Sequence, residues 1–155
     1  MKDLKDMLAD QRIFRDLNPK YIDLIVGCAS NVRYNQGDFV FRQGDPANNF
    51  FLVRHGRVAL ELFVPNRGAV IIQTVTEGDV LGWSWLFPPY ERYYDARAIV
   101  LTRAIAFDAK CLREKCDEDN ELGYELMKRF AQVMVNRLQA ARVQLLDVYG
   151  HTTGT

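Results

Sequence analysis

The chain has 155 residues, the size of one domain with a single buried core. Hydrophobic residues make up 48% and charged residues 26%, an ordinary globular balance that argues against extended disorder. Twenty basic residues meet twenty acidic ones, so the basic excess that neutralises phosphates in a nucleic-acid binder is missing, and nucleic acid is not an expected partner.

The first segment, MKDLKDMLADQRIF, is charged and holds no continuous apolar stretch, so it reads as neither signal peptide nor membrane anchor. Leu4, Met7 and Leu8 sit at helical spacing and predict a short amphipathic helix. Asn18 followed by Pro19 is a helix start, a side-chain cap and then a proline at the first helical position. Tyr21, Ile22, Ile25, Val26 and Ala29 give that helix its apolar face, and residues 1–30 form an N-terminal helical block.

From Asn31 to Asp108 the period shortens to two. Val58, Leu60, Leu62 and Val64 alternate with Arg57, Ala59, Glu61 and Phe63, the pattern of a half-buried strand. Ala69 to Val75 and Ala98 to Phe107 predict two more strands. A turn form recurs at Gln36-Gly37-Asp38, Gln43-Gly44-Asp45 and Glu77-Gly78-Asp79, where glycine supplies positive φ and aspartate bonds nearby backbone N–H groups. His55-Gly56 reads as a further tight turn. Short strands with this punctuation predict a β-sandwich or barrel over residues 31–108.

Residues 109–150 return to helix. Asp108 caps a short helix through about Cys116, and the acidic cluster Asp117, Glu118, Asp119 and Glu121 opens a long one. Leu122, Leu126, Phe130 and Val133 form a stripe suited to packing on the sandwich. Met127, Ala131, Met134, Leu138, Ala141, Leu145 and Val148 form a second, spaced alternately by four and three. That heptad seam predicts a homodimer through a second copy of the helix, against the plainer reading that both stripes bury in the chain's own core. Residues 151–155 read as a tail.

Cys28, Cys111 and Cys116 are odd in number and fit no disulfide framework, which points to reduced thiols in the cytoplasm. Cys111 and Cys116 also stand outside the CxxC spacing of a redox pair. The only histidines, His55 and His151, fall in a turn and in the tail, and no His, Glu or Asp cluster has metal-ligand spacing. No nucleophile and base can be paired, so the chain does not read as an enzyme.

The stretch YNQGDFVFRQGDPANNFFLVRHGRVALELFV, Tyr34 to Val64, resembles the first half of a cyclic-nucleotide-binding domain. GDVLGWSWLF, Gly78 to Phe87, with Glu91-Arg92 and Ala96-Arg97-Ala98, resembles that family's phosphate-binding cassette over residues 78–97. Arg137-Leu138-Gln139 and Leu146-Asp147-Val148 are similar to the dimer helix of the catabolite activator branch. The likeness runs from about Ile13 to Gly150. It implies a mainly β fold, a β-roll or jelly-roll sandwich with N-terminal helices and a long C-terminal dimerisation helix. It also implies a regulatory sensor with cAMP or cGMP as default ligand. The activator branch continues into a helix-turn-helix domain, for which His151 to Thr155 is too short, so the output is expected through an unidentified protein partner.

By the resemblance, the ligand contacts are Gly82, Trp83, Ser84, Arg92, Tyr93 and Arg142. Gly82 opens the cassette helix and allows close backbone approach to the phosphate. Arg92 falls at the phosphate arginine, against the plainer reading of a surface arginine paired with Glu91 or Asp95. Two residues depart from the family. Trp83 stands where a glutamate accepts the ribose hydroxyl, a loss worth about 1.5–3 kcal/mol. Tyr93, followed by Tyr94, stands where a small residue is usual. Ala141 and Arg142 occupy the helix positions that touch the base, Arg142 either stacked on a purine or simply solvated. The aromatic set Trp83, Trp85, Tyr90, Tyr93 and Tyr94 either shapes a pocket for a different small anion or fills the old one, leaving a dimeric protein-interaction module. Both tryptophans lie in the cassette and are expected to report on its pocket.

Overall fold

Three turns of one design set the frame. In each, an aspartate carboxylate accepts the N–H of the residue three before it: Asp38 from Asn35 at 2.8 Å, Asp45 from Arg42 at 2.9 Å and Asp79 from Thr76 at 2.9 Å. The intervening glycines, Gly37, Gly44 and Gly78, have φ of 93°, 89° and 87°, open to glycine at little cost. A computed structural model of the chain describes residues 3–153.

Eight antiparallel strands hang on these turns. They are β1 (Ala29–Tyr34), β2 (Phe39–Phe41), β3 (Asn49–His55), β4 (Val58–Val64), β5 (Gly68–Val75), β6 (Val80–Leu81), β7 (Asp95–Ala98) and β8 (Thr102–Asp108). They form two four-stranded sheets, ordered β1-β8-β3-β6 and β2-β7-β4-β5. Helices α1 (Leu4–Ala9), α2 (Pro19–Val26), α3 (Ala109–Glu118) and α4 (Asn120–Thr153) flank them. The jelly-roll architecture with N-terminal helices and a long C-terminal helix is thus present.

Strand β3 serves two cores because its side chains alternate. Phe51 and Val53 point between the sheets with Phe41, Val58, Leu60 and Leu81. Phe50 and Leu52 point the other way, under the helices. There Phe50 stacks on Phe107 at 4.4 Å and meets the Phe130 ring edge-on at 4.9 Å. Leu122, Leu126 and Phe130 are fully buried in this second core, each contributing about 2 kcal/mol of apolar transfer, and they fix the first half of α4.

The local caps follow the sequence. Asn18 accepts from Lys20 N–H at 3.0 Å ahead of Pro19, and Asp108 from Cys111 N–H at 2.8 Å. Asp119, from the acidic cluster, caps α4 through Glu121 and Leu122 N–H at 3.1 and 3.2 Å.

Several expectations need correction. The strand expected over Ala98 to Phe107 is two, because Ile99 N–H turns to the Arg57 carbonyl at 3.1 Å and Thr102 Oγ1 donates to Val100 O at 2.9 Å. Strand β4 does not alternate. Val58 to Glu61 are all buried and Phe63 and Val64 exposed, because the strand leaves the sandwich toward its hairpin. Glu61 is tolerated inside by an ion pair with Arg97 at 2.6 Å. The N-terminal block already becomes strand at Ala29. Helix α4 runs on through the expected tail as far as Thr153. Residues 154 and 155 of that tail lie outside the described residues.

The cysteines also differ from expectation. Cys28 and Cys111 form a disulfide with Cα atoms 5.8 Å apart and a sequence separation of 83. Register is the reason. Ala29 pairs with Phe107 across β1 and β8, so Cys28, just before β1, is brought to Cys111 in the first turn of α3. Cys116 is free and half-buried. The expectation of three reduced thiols is therefore corrected for Cys28 and Cys111.

Candidate functional site

Gly82 ends β6 with φ 92° and opens the 3-10 turn Trp83–Leu86. No side chain fits here easily: a Cβ on Gly82 would sit 2.7 Å from Arg92 Nη1. Arg92 is 4% exposed, despite its charge. Its Nη1 donates to the Gly82 carbonyl at 3.0 Å and its Nη2 to the Asn49 carbonyl. Its guanidinium lies over the Phe41 ring at 4.1 Å. Arg92 Nε is buried with no hydrogen-bond partner. Burial pulls the guanidinium down to about 10 from its ordinary 12.5, with Tyr94, Asp45 and Tyr34 opposing. The pairing with Glu91 or Asp95 considered from sequence is not what holds Arg92. Asp95 accepts from Gln43 N–H at 2.7 Å instead.

Period-two alternation into β7 decides the next two residues. Arg92 points in, Tyr93 points out at 59% exposure, and Tyr94 is partly buried against Phe41 at 5.8 Å between ring centroids. The sequence reading placed Tyr93 in the pocket, and the inward residue is Tyr94. Burial raises the Tyr94 phenol, while Arg137 and Arg92 both act on it in the opposite sense.

Arg137 was not singled out as a ligand contact. It continues the buried stripe of α4, four residues beyond Val133, where an apolar side chain is expected, and that misplaced charge was the available signal. Its guanidinium stands 4.8 Å from the Trp83 ring centroid, and its Nη2 donates to the Val80 carbonyl. Its Nη1 is buried without a partner, and desolvation lowers its pKa.

Ser84 is buried within the 3-10 turn. Arg142 lies exposed on α4, in the half of the helix that no other described element covers. Of the six residues, the fold gathers Gly82, Trp83, Ser84 and Arg92, and leaves Tyr93 and Arg142 outside. The two tryptophans also part. Trp83 is half-buried under Arg137, while Trp85 is 1% exposed and packs on Phe50 at 5.2 Å and Phe130 at 5.6 Å. Only Trp83 reports on the pocket. Tyr90 lies apart, under the guanidinium of Arg113 at 4.3 Å.

Among the described residues no group of three or more His, Cys, Asp or Glu is placed to hold a metal ion. No described helix is long and apolar enough to cross a membrane. The chemistry on offer is that of two incompletely bonded guanidinium groups, Arg92 buried over the Phe41 ring and Arg137 partly buried over the Trp83 indole.

Residues 31–119 match the family model of the cyclic nucleotide-binding domain. The chain is 23% identical over 145 residues to the CRP-like cAMP-activated global transcriptional regulator of Mycobacterium tuberculosis, covering 94% of this chain and 63% of that protein. It is 25% identical over 129 residues to human cGMP-dependent protein kinase 2, covering 83% of this chain and 15% of the kinase. The chain thus spans less than two thirds of either relative. Among solved structures it resembles a cyclic nucleotide-binding protein from Geobacter metallireducens at TM-score 0.78 and 26% identity, covering 88% of this chain and 99% of that one. It shares its fold with the sensor domain of the transcriptional regulator DNR from Pseudomonas aeruginosa, at TM-score 0.70 and 20% identity over 87% of this chain and 91% of that one.

Proposed function

The chain belongs to the cyclic nucleotide-binding domain family, and we propose that it is a non-catalytic regulatory sensor whose cassette captures a small anion at Arg92. One observation carries this reading. Arg92 is buried, its hydrogen bonds go to two backbone carbonyls rather than to a carboxylate, and its Nε has no partner. A buried cation with no carboxylate bonded to it is unfavourable by up to several kcal/mol before relaxation, and an oxyanion at the guanidinium relieves it. cAMP and cGMP are the first candidates, since the regulator relative is cAMP-activated and the kinase relative cGMP-dependent.

The route outward runs through Trp83. Its ring carries the Arg137 guanidinium, and Arg137 is anchored on β6 through Val80. An anion drawn to Arg92 moves the cassette, and with it the seat of α4. The exposed seam residues Met127, Leu138, Leu145 and Val148 pass that movement to a second copy of the helix. The shift is no larger than the ligand's difference in affinity between the two seats. A protein partner then reads the dimer. A cytoplasmic setting belongs to this reading on the strength of the regulator relative, not of the cysteines.

A second reading rests on Trp83 itself. Its indole and the Arg137 guanidinium fill the place where the family has a ribose-binding glutamate, which favours a dimeric interaction module that binds no cyclic nucleotide. Titration separates the two. In a Trp85→Phe background, Trp83 emission is followed against cAMP and then cGMP. A saturable change at micromolar ligand that is lost in Arg92→Ala supports the sensor. A flat response to millimolar ligand supports the interaction module.

A further inference from the structure

Strands β1, β8 and β3 lie side by side in one sheet, and each carries an arginine on the same face. Arg33 of β1 stands directly opposite Arg103 of β8. Ile105 and Phe107 point under the helices, so Arg103 and its partner lie on that face by the period of two. Arg54 follows Phe50 and Leu52 along β3 on the same face, and a register shift between Val53 and His55 sets it beside Arg103. Its Nη1 donates to Asn31 Oδ1 at 3.0 Å. Because Asn31 pairs with Ile105, the Arg54 side chain crosses β8 above Ile105 to reach β1.

Three guanidinium groups are thus gathered on one surface. Arg33 and Arg103 are exposed and Arg54 is half-buried. Among the described residues none of the three forms a salt bridge with a carboxylate. Like charges directly opposite across two strands destabilise a sheet. A carboxylate from another molecule offsets that repulsion, and no existing ion pair has to break to admit it. Glu77 bounds the row, its exposed carboxylate standing 3.9 Å from His55 Nδ1 on β3. A broad polyanion such as a bilayer or a duplex meets that carboxylate, whereas a single extended chain passes beside it.

We propose that the row Arg33, Arg103 and Arg54 is a docking surface for an acidic segment of a partner protein, bound in extended form with carboxylates at alternate positions. Alternate side chains of an extended chain stand about 7 Å apart on one face. Arg33 and Asn31, to which Arg54 reaches, are likewise alternate residues of β1, so the two arginines are spaced for two such carboxylates. Guanidinium groups match carboxylates in geometry and charge, and the pairs they form are charge-assisted. No residue of the row belongs to the cassette over residues 78–97 or to the seam of α4, so the surface is available whichever reading of the cassette holds.

The test titrates the whole chain into a fluorescein-labelled peptide of alternating Glu and Ser, followed by anisotropy, with the Gln and Ser peptide as its uncharged match. Saturable binding of the Glu peptide at micromolar protein is expected, weakened by salt as surface ion pairs are. Arg103→Glu turns a like-charged cross-strand pair into an opposite one. It is expected to raise the melting temperature by about 1–3 °C while weakening the peptide at least about tenfold. Arg67→Glu with Lys110→Glu reverses two exposed cations elsewhere and leaves the affinity within about twofold. Phosphatidylserine vesicles and a DNA duplex serve as competitors, and displacement of the peptide by either at lower concentration assigns the surface to a polyanion and overturns the proposal. Equal binding of the Gln peptide, no saturable binding, or binding that survives Arg103→Glu overturns it as well. So does a melting temperature that falls in Arg103→Glu, since Arg33 and Arg103 would then not repel.

Discussion

The guanidinium of Arg137 lies 4.8 Å from the centre of the Trp83 ring and joins α4 to the cassette. The cation is largely desolvated, and the indole is half-buried beneath it. Arg137→Ala removes the stack, worth about 1–2 kcal/mol, and the bond to Val80, but also removes a buried charge. The terms oppose, so the net destabilisation is expected near 1 kcal/mol by urea midpoint. Trp83 emission, read in the Trp85→Phe background, shifts to the red as water reaches the ring. A large loss of stability with unshifted emission would mean that the stack contributes little and the Val80 bond dominates.

Gly82→Ala tests the cassette backbone. At φ 92° alanine is strained, and its Cβ would meet Arg92 Nη1 at 2.7 Å. The expected destabilisation is about 2 kcal/mol, from backbone strain and a displaced Arg92 together. Gly37→Ala is the control, because φ is similar there and nothing lies within 4 Å. Its destabilisation should be about half as large, and equal losses would show that Arg92 yields freely.

The Cys28–Cys111 bond closes a loop across a separation of 83 residues. Its removal by reductant or by Cys28→Ser is expected to lower stability by about 2–4 kcal/mol, chiefly by freeing the unfolded chain. Thiol titration in denaturant gives one reactive group before reduction and three after, since Cys116 alone is free. Three thiols without reductant would show that the chain is purified with this pair open.

Cys116 is expected to react slowly. Burial first, then Asp117 and Asp119, raise its thiol from 9.0 to about 11. At pH 8 its thiolate is about a hundredfold scarcer than that of an ordinary cysteine. Because the raised value favours the protonated thiol, the alkylation rate of the folded protein should climb about tenfold per pH unit until near pH 11. A plateau near pH 9 would mean that the thiol sits in water.

Local chemistry was legible in the sequence, and pairing across the chain was not. The caps at Asn18 and Asp108 and the three Gly-Asp turns depend on residues at most three positions apart, so spacing alone reveals them. The disulfide depends on the register of β1 against β8, which no spacing of cysteines encodes. Tyr93 was misplaced because the family likeness gave its position but not the alternation that turns it outward. Arg137 was legible in principle, as a charge on the buried stripe of α4, next to the heptad seam rather than on it.

That seam carries the last prediction. Leu138 is 52% exposed, Leu145 55% and Val148 59%, and they share one face of α4 with Met127. A row of exposed apolar residues at heptad spacing is unfavourable in water and is satisfied by a second copy in register. Leu138→Asp places a carboxylate at the centre of that contact, and twofold symmetry places it there twice. Each truncation of a buried interface position is worth about 2 kcal/mol, so the dimer is expected to weaken by at least thirtyfold. Sedimentation equilibrium should then show monomer at concentrations where the parent is dimeric, with circular dichroism and Trp85 emission unchanged. If the variant sediments as a dimer of undiminished strength, the copies meet through another face, and the cassette must signal by a route that bypasses the seam.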